Sequence, residues 1–214
     1  TGVFVGISSQ DYSYLQSSIL DQSRTGAHTN AGLAMSIAAN RISHCLNLRG
    51  PSLAVDTACS SALVAVHLAC RSLRNQECAL ALAGGVNLMF RAEPFIGFSK
   101  AAMLSSDGRC GSFSAGANGY VRAEGAGMIL LKPLSAALAE GDPICAVIRG
   151  TAVNEDGRTQ GISLPSGRAQ EALVRAACRD AGVSPGRVRY VEAHGTGTAV
   201  GDPIEAHALG AALS

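Results

Sequence analysis

The order of apolar and polar positions along the chain predicts short buried strands that alternate with helices. Continuous apolar runs bounded by glycine, proline or polar residues are typical of such strands. They occur at residues 3–7, in SLAV at 52–55, in CALALAGGVNL ending at Gly84-Gly85, in GAGMILLKPL at 125–134, in ICAVIRGTAV at 144–153 and in RVRYVEAH at 187–194. The polar stretch after the first strand, through about Thr29, is predicted to be loop and irregular helix.

Two segments in the first half of the chain carry helical signals. The alanine-rich run from about Ala31 is helical by propensity and is predicted to stop near Gly50-Pro51. After Cys59, apolar residues recur at steps of three, four and three, which predicts a helix with one buried face. These residues are Leu63, Val66, Cys70 and Leu73.

Further helical signals follow in the last quarter of the chain. Residues 166–185 supply a helix body with Gly182 and Pro185 as stop signals. Asp202, Pro203 and Glu205 predict another helix start, with Asp202 as the N-cap acceptor, the proline in the first position and the glutamate completing a capping box. The alternation of strands and helices favours an α/β protein with a substantially parallel central sheet.

Composition and charge exclude several classes of protein. Seventeen basic against sixteen acidic residues give a net charge of +1 without a basic run, which argues against nucleic-acid binding. No apolar stretch reaches the roughly 18 residues needed to span a bilayer, and the first residues lack the charged segment of a signal peptide. We therefore expect a cytoplasmic protein without membrane association. The seven cysteines are scattered with no C-x-x-C pair, so we expect reduced thiols and no metal site.

Cys59 is the first candidate for chemistry. It lies between a predicted strand and a predicted helix, where the positive end of the helix dipole favours a thiolate. A free cysteine is more often a small buried hydrophobe, so position alone leaves both interpretations open.

His194 is the second candidate, because it ends the predicted strand RYVEAH and opens the loop GTGTAVGD. The carboxyl ends of strands are where α/β sheets bind ligands. The Gly-Thr-Gly-Thr that follows could be an ordinary turn, or it could offer two hydroxyls and close backbone approach to a polar ligand. The other histidines are expected to be structural: His28, His44, His67, which shares the apolar helix face, and His207.

Several motifs together resemble those of one enzyme family. The segments VDTACSSALVAVHLAC, LALAGGVNLM, DGRC followed by a Phe, GTAVNEDGRT and YVEAHGTGTAVGDPIEAHAL occur in the order and approximate spacing found in polyketide synthase ketosynthases. The chain is similar to the ketosynthase (β-ketoacyl synthase) domain of modular type I polyketide synthases over essentially its whole length. Animal fatty acid synthase ketosynthases are near relatives.

The resemblance implies a thiolase-like fold of two similar α/β halves in stacked layers, usually paired as a homodimer. The chain would hold most of the N-terminal half, about residues 1–160, and the start of the C-terminal half, about 161–214. Both ends are expected to be cut, with the usual first strand before Thr1. The second catalytic histidine, in a motif resembling N-I-G-H, and the Phe loop of the oxyanion hole are expected beyond Ser214. The 214 residues alone are therefore expected to be inactive.

The resemblance also implies roles for individual residues. Cys59 matches the family's nucleophile and His194 the first of its two catalytic histidines. Thr196 and Thr198 match threonines that hydrogen-bond the phosphopantetheine arm of an acyl carrier protein. No cofactor or metal would be bound directly, and the partners would be acyl carrier protein and neighbouring polyketide synthase domains.

The chain departs from the family pattern at four positions in the segment GSFSAGANGYVRAEG. Where the family usually has a lysine, a threonine, the aspartate of Phe-Asp and the glycine of Arg-Gly-Glu-Gly, this chain has Gly111, Ser112, Ser114 and Ala123. We expect an altered loop near the active site.

The implied reaction is a decarboxylative Claisen condensation of an acyl group on Cys59 with a malonyl-type extender, which gives a β-ketoacyl thioester. Alternatives are a non-elongating ketosynthase that only transfers acyl chains and a fatty acid synthase ketosynthase. A cysteine hydrolase would need an Asn or Asp orienter for its histidine. In a catalytically dead chain-length factor the cysteine is typically replaced, so Cys59 argues against that interpretation.

Overall fold

A computed structural model describes residues 1–16, 22–23 and 25–214 of the chain. They form two compact units, Thr1–Phe90 with Ala123–Val147 and Arg91–Arg122 with Ile148–Ser214. Residues 17–21 and 24, part of the loop predicted before Thr29, lie outside the described residues. Within the described part of the chain, every helix is too short or too polar to cross a bilayer.

The helices are numbered along the chain. They are α1 (Asp11–Gln16), α2 (Thr29–Leu33), α3 (Met35–Cys45), α4 (Ser61–Arg74), α5 (Glu93–Lys100), α6 (Leu134–Glu140), α7 (Gly167–Ala181) and α8 (Gly201–Leu213), with a 3-10 turn at Pro185–Arg187.

The centre of the first unit is a sheet with the strand order β2-β1-β3-β4. The strands are β1 (Gly2–Gly6), β2 (Ser52–Val55), β3 (Ala81–Asn87) and β4 (Gly125–Leu131). Strand β1 pairs in parallel with β2 and with β3, whereas β4 runs antiparallel to β3. The predicted α/β class is confirmed, and its parallel part is the part that leads to Cys59.

Strand β1 is buried on both faces, which explains why its sequence is continuously apolar. Phe4 packs in a cluster with Ala65 of α4. Val3 and Val5, which point to the opposite face, pack with Ala39 of α3. The first unit therefore has helices on both sides of its sheet, with α4 behind the strands that carry the candidate nucleophile.

The structure corrects several predicted boundaries in this unit. Strand β3 continues to Asn87 instead of ending at Gly84-Gly85, because these glycines allow close approach of neighbouring backbone. A Cβ on Gly84 would lie 2.0 Å from the Gly127 carbonyl oxygen of β4. The helix predicted from about Ala31 is two helices, because Ala34 has extended backbone, and the second ends at Cys45 instead of near Gly50.

The predicted buried face of α4 is also only partly correct. Leu63 is 77% exposed, Val66 and Leu73 are half-buried, and Cys70 is buried. The face that meets the sheet consists mainly of small residues: Ser61, Ala65, Ala69, Cys70 and Ser72. Small side chains let the helix axis approach the sheet closely. The spacing of large apolar residues along the sequence does not identify such a face. His67, predicted to lie in the core, is half-buried.

In the second unit, helices α7 and α8 pack against each other. The predicted stop of α7 is confirmed, because Gly182 adopts the left-handed conformation at the end of the helix. At the start of α7, the Ser166 hydroxyl accepts a hydrogen bond from the Ala169 N–H at 3.3 Å. The Arg175 guanidinium bonds Glu171 within α7 and donates to the Ala211 carbonyl of α8, which ties the two helices together.

Residues 144–153 and 187–194 were predicted to be strands and are not. Neither segment pairs with a strand among residues 1–16, 22–23 and 25–214, and a strand exists only through its hydrogen-bonded partner. Side chains such as Val147 and Tyr190 remain exposed. The segment after Ile148 is nevertheless fixed, because the Thr151 N–H donates to the Asp180 carboxylate at 2.8 Å.

Candidate functional site

The predicted site residues fall in both units. Cys59 lies in the first unit, whereas His194, Thr196 and Thr198 lie together in the second. The turn that carries Cys59 and the loop that begins at His194 are held by separate sets of hydrogen bonds.

Cys59 is exposed in a short turn between the end of β2 at Val55 and the start of α4 at Ser61. The residue before it, Ala58, has a φ of +54°, a left-handed conformation that is uncommon for a residue other than glycine. The Asp56 carboxylate accepts the Ala58 N–H at 3.0 Å and holds this conformation. The chain therefore reverses sharply and presents the cysteine at the amino end of α4.

Hydroxyl groups at the start of α4 fix the same turn. Ser61, which is only 4% exposed, accepts the Thr57 N–H at 2.9 Å and donates to the Ala58 carbonyl at 2.6 Å. Ser60 donates to the Thr57 carbonyl at 2.8 Å. The serines that follow Cys59 in the sequence therefore satisfy backbone groups that the turn leaves without helical partners.

Two glycines at the carboxyl ends of parallel strands allow this turn to lie against the sheet. A Cβ on Gly6 would lie 2.5 Å from the Ala62 backbone nitrogen, and one on Gly85 would lie 2.8 Å from the Ala62 Cβ. No other residue type fits without displacing the start of α4. The position of Cys59 therefore depends on the absence of side chains at the ends of β1 and β3.

His194 is exposed and begins a loop that reaches α8. Gly195 and Gly197 have φ values of +49° and +74°, in the left-handed region that favours glycine. Upstream, the Tyr190 hydroxyl donates to the Glu192 carboxylate, and this hydrogen bond raises the pKa of Tyr190. The backbone path after His194 thus explains the two glycines of the Gly-Thr-Gly-Thr segment.

Two carboxylates of α8 hold this loop, and neither acts as the sequence predicted. Glu205 accepts the His194 N–H at 2.7 Å and the Gly195 N–H at 2.8 Å, one on each oxygen. Asp202 is 5% exposed, lies inside the helix and accepts the Gly197 N–H at 2.9 Å. The predicted N-cap and capping box are wrong, because the loop offers backbone donors that compete for the carboxylates.

The Thr198 hydroxyl bonds the first N–H group of α8 instead. The Thr198 hydroxyl oxygen accepts the Gly201 N–H at 3.1 Å and lies 3.0 Å from the hydroxyl oxygen of Thr196. A Cβ on Gly201 would lie 2.6 Å from the Thr198 hydroxyl oxygen, so a larger residue there would displace this hydroxyl. Both threonines are half-buried, and together they present adjacent hydroxyls next to His194.

A second loop in the same unit is bonded to the first. The Ser112 hydroxyl donates to the Gly195 carbonyl, the Phe113 N–H donates to Asp202 at 2.5 Å, and the Gly119 N–H donates to the Gly197 carbonyl at 2.8 Å. In the first two of these hydrogen bonds, the two partners are more than eighty residues apart in the sequence. The segment that departs from the family pattern is therefore attached directly to the His194 loop.

Three of the residues at which the chain departs from the family pattern form hydrogen bonds. Ser112 still carries a hydroxyl, and it uses that hydroxyl to hold the His194 loop. Ser114 accepts the Gly116 N–H at 3.2 Å on its side chain. Ala123 contributes its carbonyl, which accepts the Asn87 amide at 2.7 Å.

From the sequence, the segment that contains Ser112 was expected near the active site, but Asp202, Glu205, Ser112 and Phe113 were assigned no contact with the His194 loop. One signal was available for Asp202 and Glu205, since acidic residues shortly after a glycine-rich loop can accept hydrogen bonds from the backbone N–H groups of that loop. Ser112 and Phe113 carried no such local signal. Among the described residues, no group of His, Cys, Asp or Glu side chains could hold a metal ion.

Two family models match the chain. The model of the beta-ketoacyl synthase N-terminal domain matches residues 1–137, and that of the beta-ketoacyl synthase C-terminal domain matches residues 145–214. Together they account for nearly all of the sequence.

Curated relatives are large multidomain proteins. One phenolphthiocerol/phthiocerol polyketide synthase protein of Mycobacterium tuberculosis (strain CDC 1551 / Oshkosh) is 54% identical over 213 residues, which is 100% of this chain and 11% of that protein. Erythronolide synthase EryA3 of Saccharopolyspora erythraea is 50% identical over 209 residues, which is 98% of this chain and 6% of that protein. The chain thus spans a small part of these relatives.

Solved structures agree with the family match. The oxazolomycin ketosynthase domain OzmH KS7 of Streptomyces albus JA3453 superposes with a TM-score of 0.89 at 43% identity, covering 100% of this chain and 36% of that one. The ketosynthase from module 6 of the bacillaene synthase of Bacillus subtilis 168 gives a TM-score of 0.90 at 43% identity, covering 99% and 35%. These likenesses confirm the thiolase-like fold.

Proposed function

The chain belongs to the β-ketoacyl synthase family, as a ketosynthase of the polyketide synthase type, and on that premise we propose that it performs decarboxylative chain elongation. The observation that carries the proposal is the exposed Cys59, held at the amino end of α4 by a turn in which the surrounding backbone and hydroxyl groups are bonded to one another. Such a rigid and accessible thiol suits covalent catalysis.

In the first half-reaction, the Cys59 sulfur attacks the carbonyl of an acyl thioester carried on phosphopantetheine. The new bond between sulfur and the acyl carbon forms as the old thioester bond breaks, and the pantetheine thiol leaves with a proton. The product is an acyl-enzyme at the strand-to-helix turn.

In the second half-reaction, a malonyl-type extender loses carbon dioxide, and the electron pair of the broken bond becomes an enolate. The enolate carbon attacks the acyl carbonyl, a carbon–carbon bond forms, and the Cys59 thiolate leaves. His194 donates a hydrogen bond to the extender's thioester oxygen as negative charge develops on it. The hydrogen bonds that the His194 and Gly195 N–H groups donate to Glu205 support this role, because they fix the backbone under the imidazole.

The partners follow from the same proposal. The carrier would be acyl carrier protein, the neighbours would be other polyketide synthase domains, and the chain would function in a homodimer without a bound cofactor or metal. Residues of about 1–160 would belong to the N-terminal half of the fold and 161–214 to the C-terminal half.

The test uses the full-length protein with acetyl-pantetheine and malonyl-pantetheine. We expect an acetyl adduct on the peptide that contains Cys59, detected by mass spectrometry, followed by acetoacetyl-pantetheine once the extender is added. Acetylation without condensation would favour a non-elongating ketosynthase. Steady release of free acetate as the main product would favour a hydrolase and overturn the proposal.

Thr196→Ala is expected to raise the KM for pantetheine-borne substrates about fivefold to tenfold and to leave kcat nearly unchanged. The reason is that one neutral hydrogen bond contributes on the order of 1 kcal/mol. Thr198→Ala should raise the KM similarly and should also lower the unfolding midpoint, because the same hydroxyl accepts the Gly201 N–H. Steady-state kinetics and thermal melts measure both effects.

Thr196→Ser is the matched control, because it keeps the hydroxyl and should keep the parent KM. An unchanged KM in both alanine variants across the substrate range would contradict the assignment of these threonines.

A further inference from the structure

Phe113 has an unusual backbone for its residue type. Its φ is +58°, in the left-handed region, where a bulky side chain is a genuine outlier. Its side chain is also 49% exposed, although phenylalanine is usually buried. Strain of this kind persists only where surrounding contacts enforce it, and an observed outlier supports a hypothesis of function.

The contacts that enforce the conformation come from the His194 loop and its supporting helix. The Phe113 N–H donates to one oxygen of the buried Asp202 at 2.5 Å, and the other oxygen accepts the Gly197 N–H at 2.9 Å. The neighbouring Ser112 hydroxyl donates to the Gly195 carbonyl. Ser112 is therefore bonded directly to the loop, and Phe113 is bonded to it through Asp202 of α8.

The aromatic ring occupies the space into which a side chain on Gly195, the residue after His194, would project. A Cβ added to Gly195 would lie 3.3 Å from Cε2 of Phe113 and 3.4 Å from the Ser112 Cβ. The His194 and Gly195 N–H groups are held by Glu205. The His194 and Gly195 N–H groups and the Gly195 carbonyl are thus held by hydrogen bonds, and the Phe113 ring occupies the space beside Gly195 on the side where a Cβ would lie.

We propose that Phe113 is a positioning residue for His194, acting through Gly195. Its ring limits the freedom of the His194–Gly195 backbone and so fixes the direction in which the imidazole donates. The proposal rests on the proposed function, in which His194 serves the condensation step and Cys59 the acylation step. Loss of the ring should therefore slow condensation selectively.

The experiment compares Phe113→Gly and Phe113→Leu with the parent in the full-length protein, using acetyl- and malonyl-pantetheine. Glycine adopts the positive φ without strain, so this variant keeps the backbone path and removes only the ring. We expect condensation in Phe113→Gly to fall about tenfold or more, since small misplacements of a catalytic group reduce rates up to about a hundredfold. Acetylation of Cys59 should stay within about twofold, and Phe113→Leu should retain most of the condensation rate because it keeps bulk.

Phe90→Ala is the matched control. Phe90 is 50% exposed and donates its N–H to Asp11, which is 7% exposed, at 3.0 Å, but it lies in the first unit and its φ is not positive. Both half-reactions should be unchanged in this variant. The KM for pantetheine substrates should also stay constant in Phe113→Gly, which separates its effect from that of the threonine pair.

Three outcomes would overturn the assignment. Parent-like condensation in Phe113→Gly would exclude a positioning role, and an equal fall in acetylation and condensation would indicate general destabilisation instead. Failure of the parent itself to form acetyl-Cys59 would overturn the proposed function and this assignment with it. Thermal melts of each variant establish that the proteins compared are folded.

Discussion

Cys59→Ala is expected to abolish acyl-enzyme formation while leaving the fold intact. The turn is held by the Asp56 carboxylate and by the hydroxyls of Ser60 and Ser61, and the hydrogen bonds that define it do not use the Cys59 thiol. Removing the sulfur therefore removes the proposed nucleophile without removing the support of the turn. Intact-protein mass spectrometry with acetyl-pantetheine should show no adduct, and the unfolding midpoint should match that of the parent.

The matched controls for this variant are Cys110→Ala and Cys178→Ala. Cys110 is exposed, as Cys59 is, and Cys178 is half-buried, so these two thiols are the rival candidates for reaction with a thioester. Both control variants should acylate at the parent rate. Undiminished acylation in Cys59→Ala would contradict the assignment, and loss of acylation in either control would transfer the role to that residue.

Asp202→Ala is expected to destabilise the second unit and to impair condensation strongly. The buried carboxylate accepts backbone N–H groups from Gly197 and Phe113, and the substitution leaves both without their partner. A hydrogen bond to a charged group contributes about 1.5–3 kcal/mol, so the loss should reach about 3 kcal/mol or more in the free energy of unfolding. Because both loops around His194 lose their anchor, condensation should fall about a hundredfold.

Urea unfolding and the two half-reaction assays measure these effects. Asp202→Asn should have an intermediate effect on the free energy of unfolding and on the condensation rate. Its amide keeps one acceptor oxygen but turns an NH₂ donor toward the second N–H group. Asp142→Asn, at an exposed acid paired with Lys132, is the control and should leave both the unfolding midpoint and the rates unchanged. Parent-like stability in Asp202→Ala would contradict the anchoring role.

Local signals in the sequence were sufficient for the elements whose stability is local. The body of helix α7 and its stop at Gly182 were predicted correctly, because the residues that end the helix lie next to it in the sequence. Strand β1 was predicted correctly because burial on both faces leaves a continuous apolar run. Residues 187–194 have a similar run, yet they form no strand, because strand formation depends on a distant partner.

The candidate site likewise has features that local sequence motifs indicate and features that only the tertiary structure decides. The sequence motifs predict Cys59, His194 and the threonine pair as site residues, and the structure places Cys59 in a turn before α4 and His194 at the start of a loop before α8. The role of Asp202 was not predicted, because the competition between capping its own helix and bonding Gly197 and Phe113 is decided by tertiary structure. Likewise the glycine requirement at Gly6 follows from the approach of α4, which no neighbouring residue indicates.

The attachment of the segment around Phe113 to the loop around Gly195 bears on the recombination of synthase domains. Ser112 and Phe113 bond residues 83 and 89 positions further along the chain. A chimera joined at any crossover between these two segments would combine loops from different parents, and a mismatch at one hydrogen bond would leave the buried Asp202 poorly paired. Crossovers placed before Cys110 should be tolerated better, because both loops and Asp202 then come from the same parent protein.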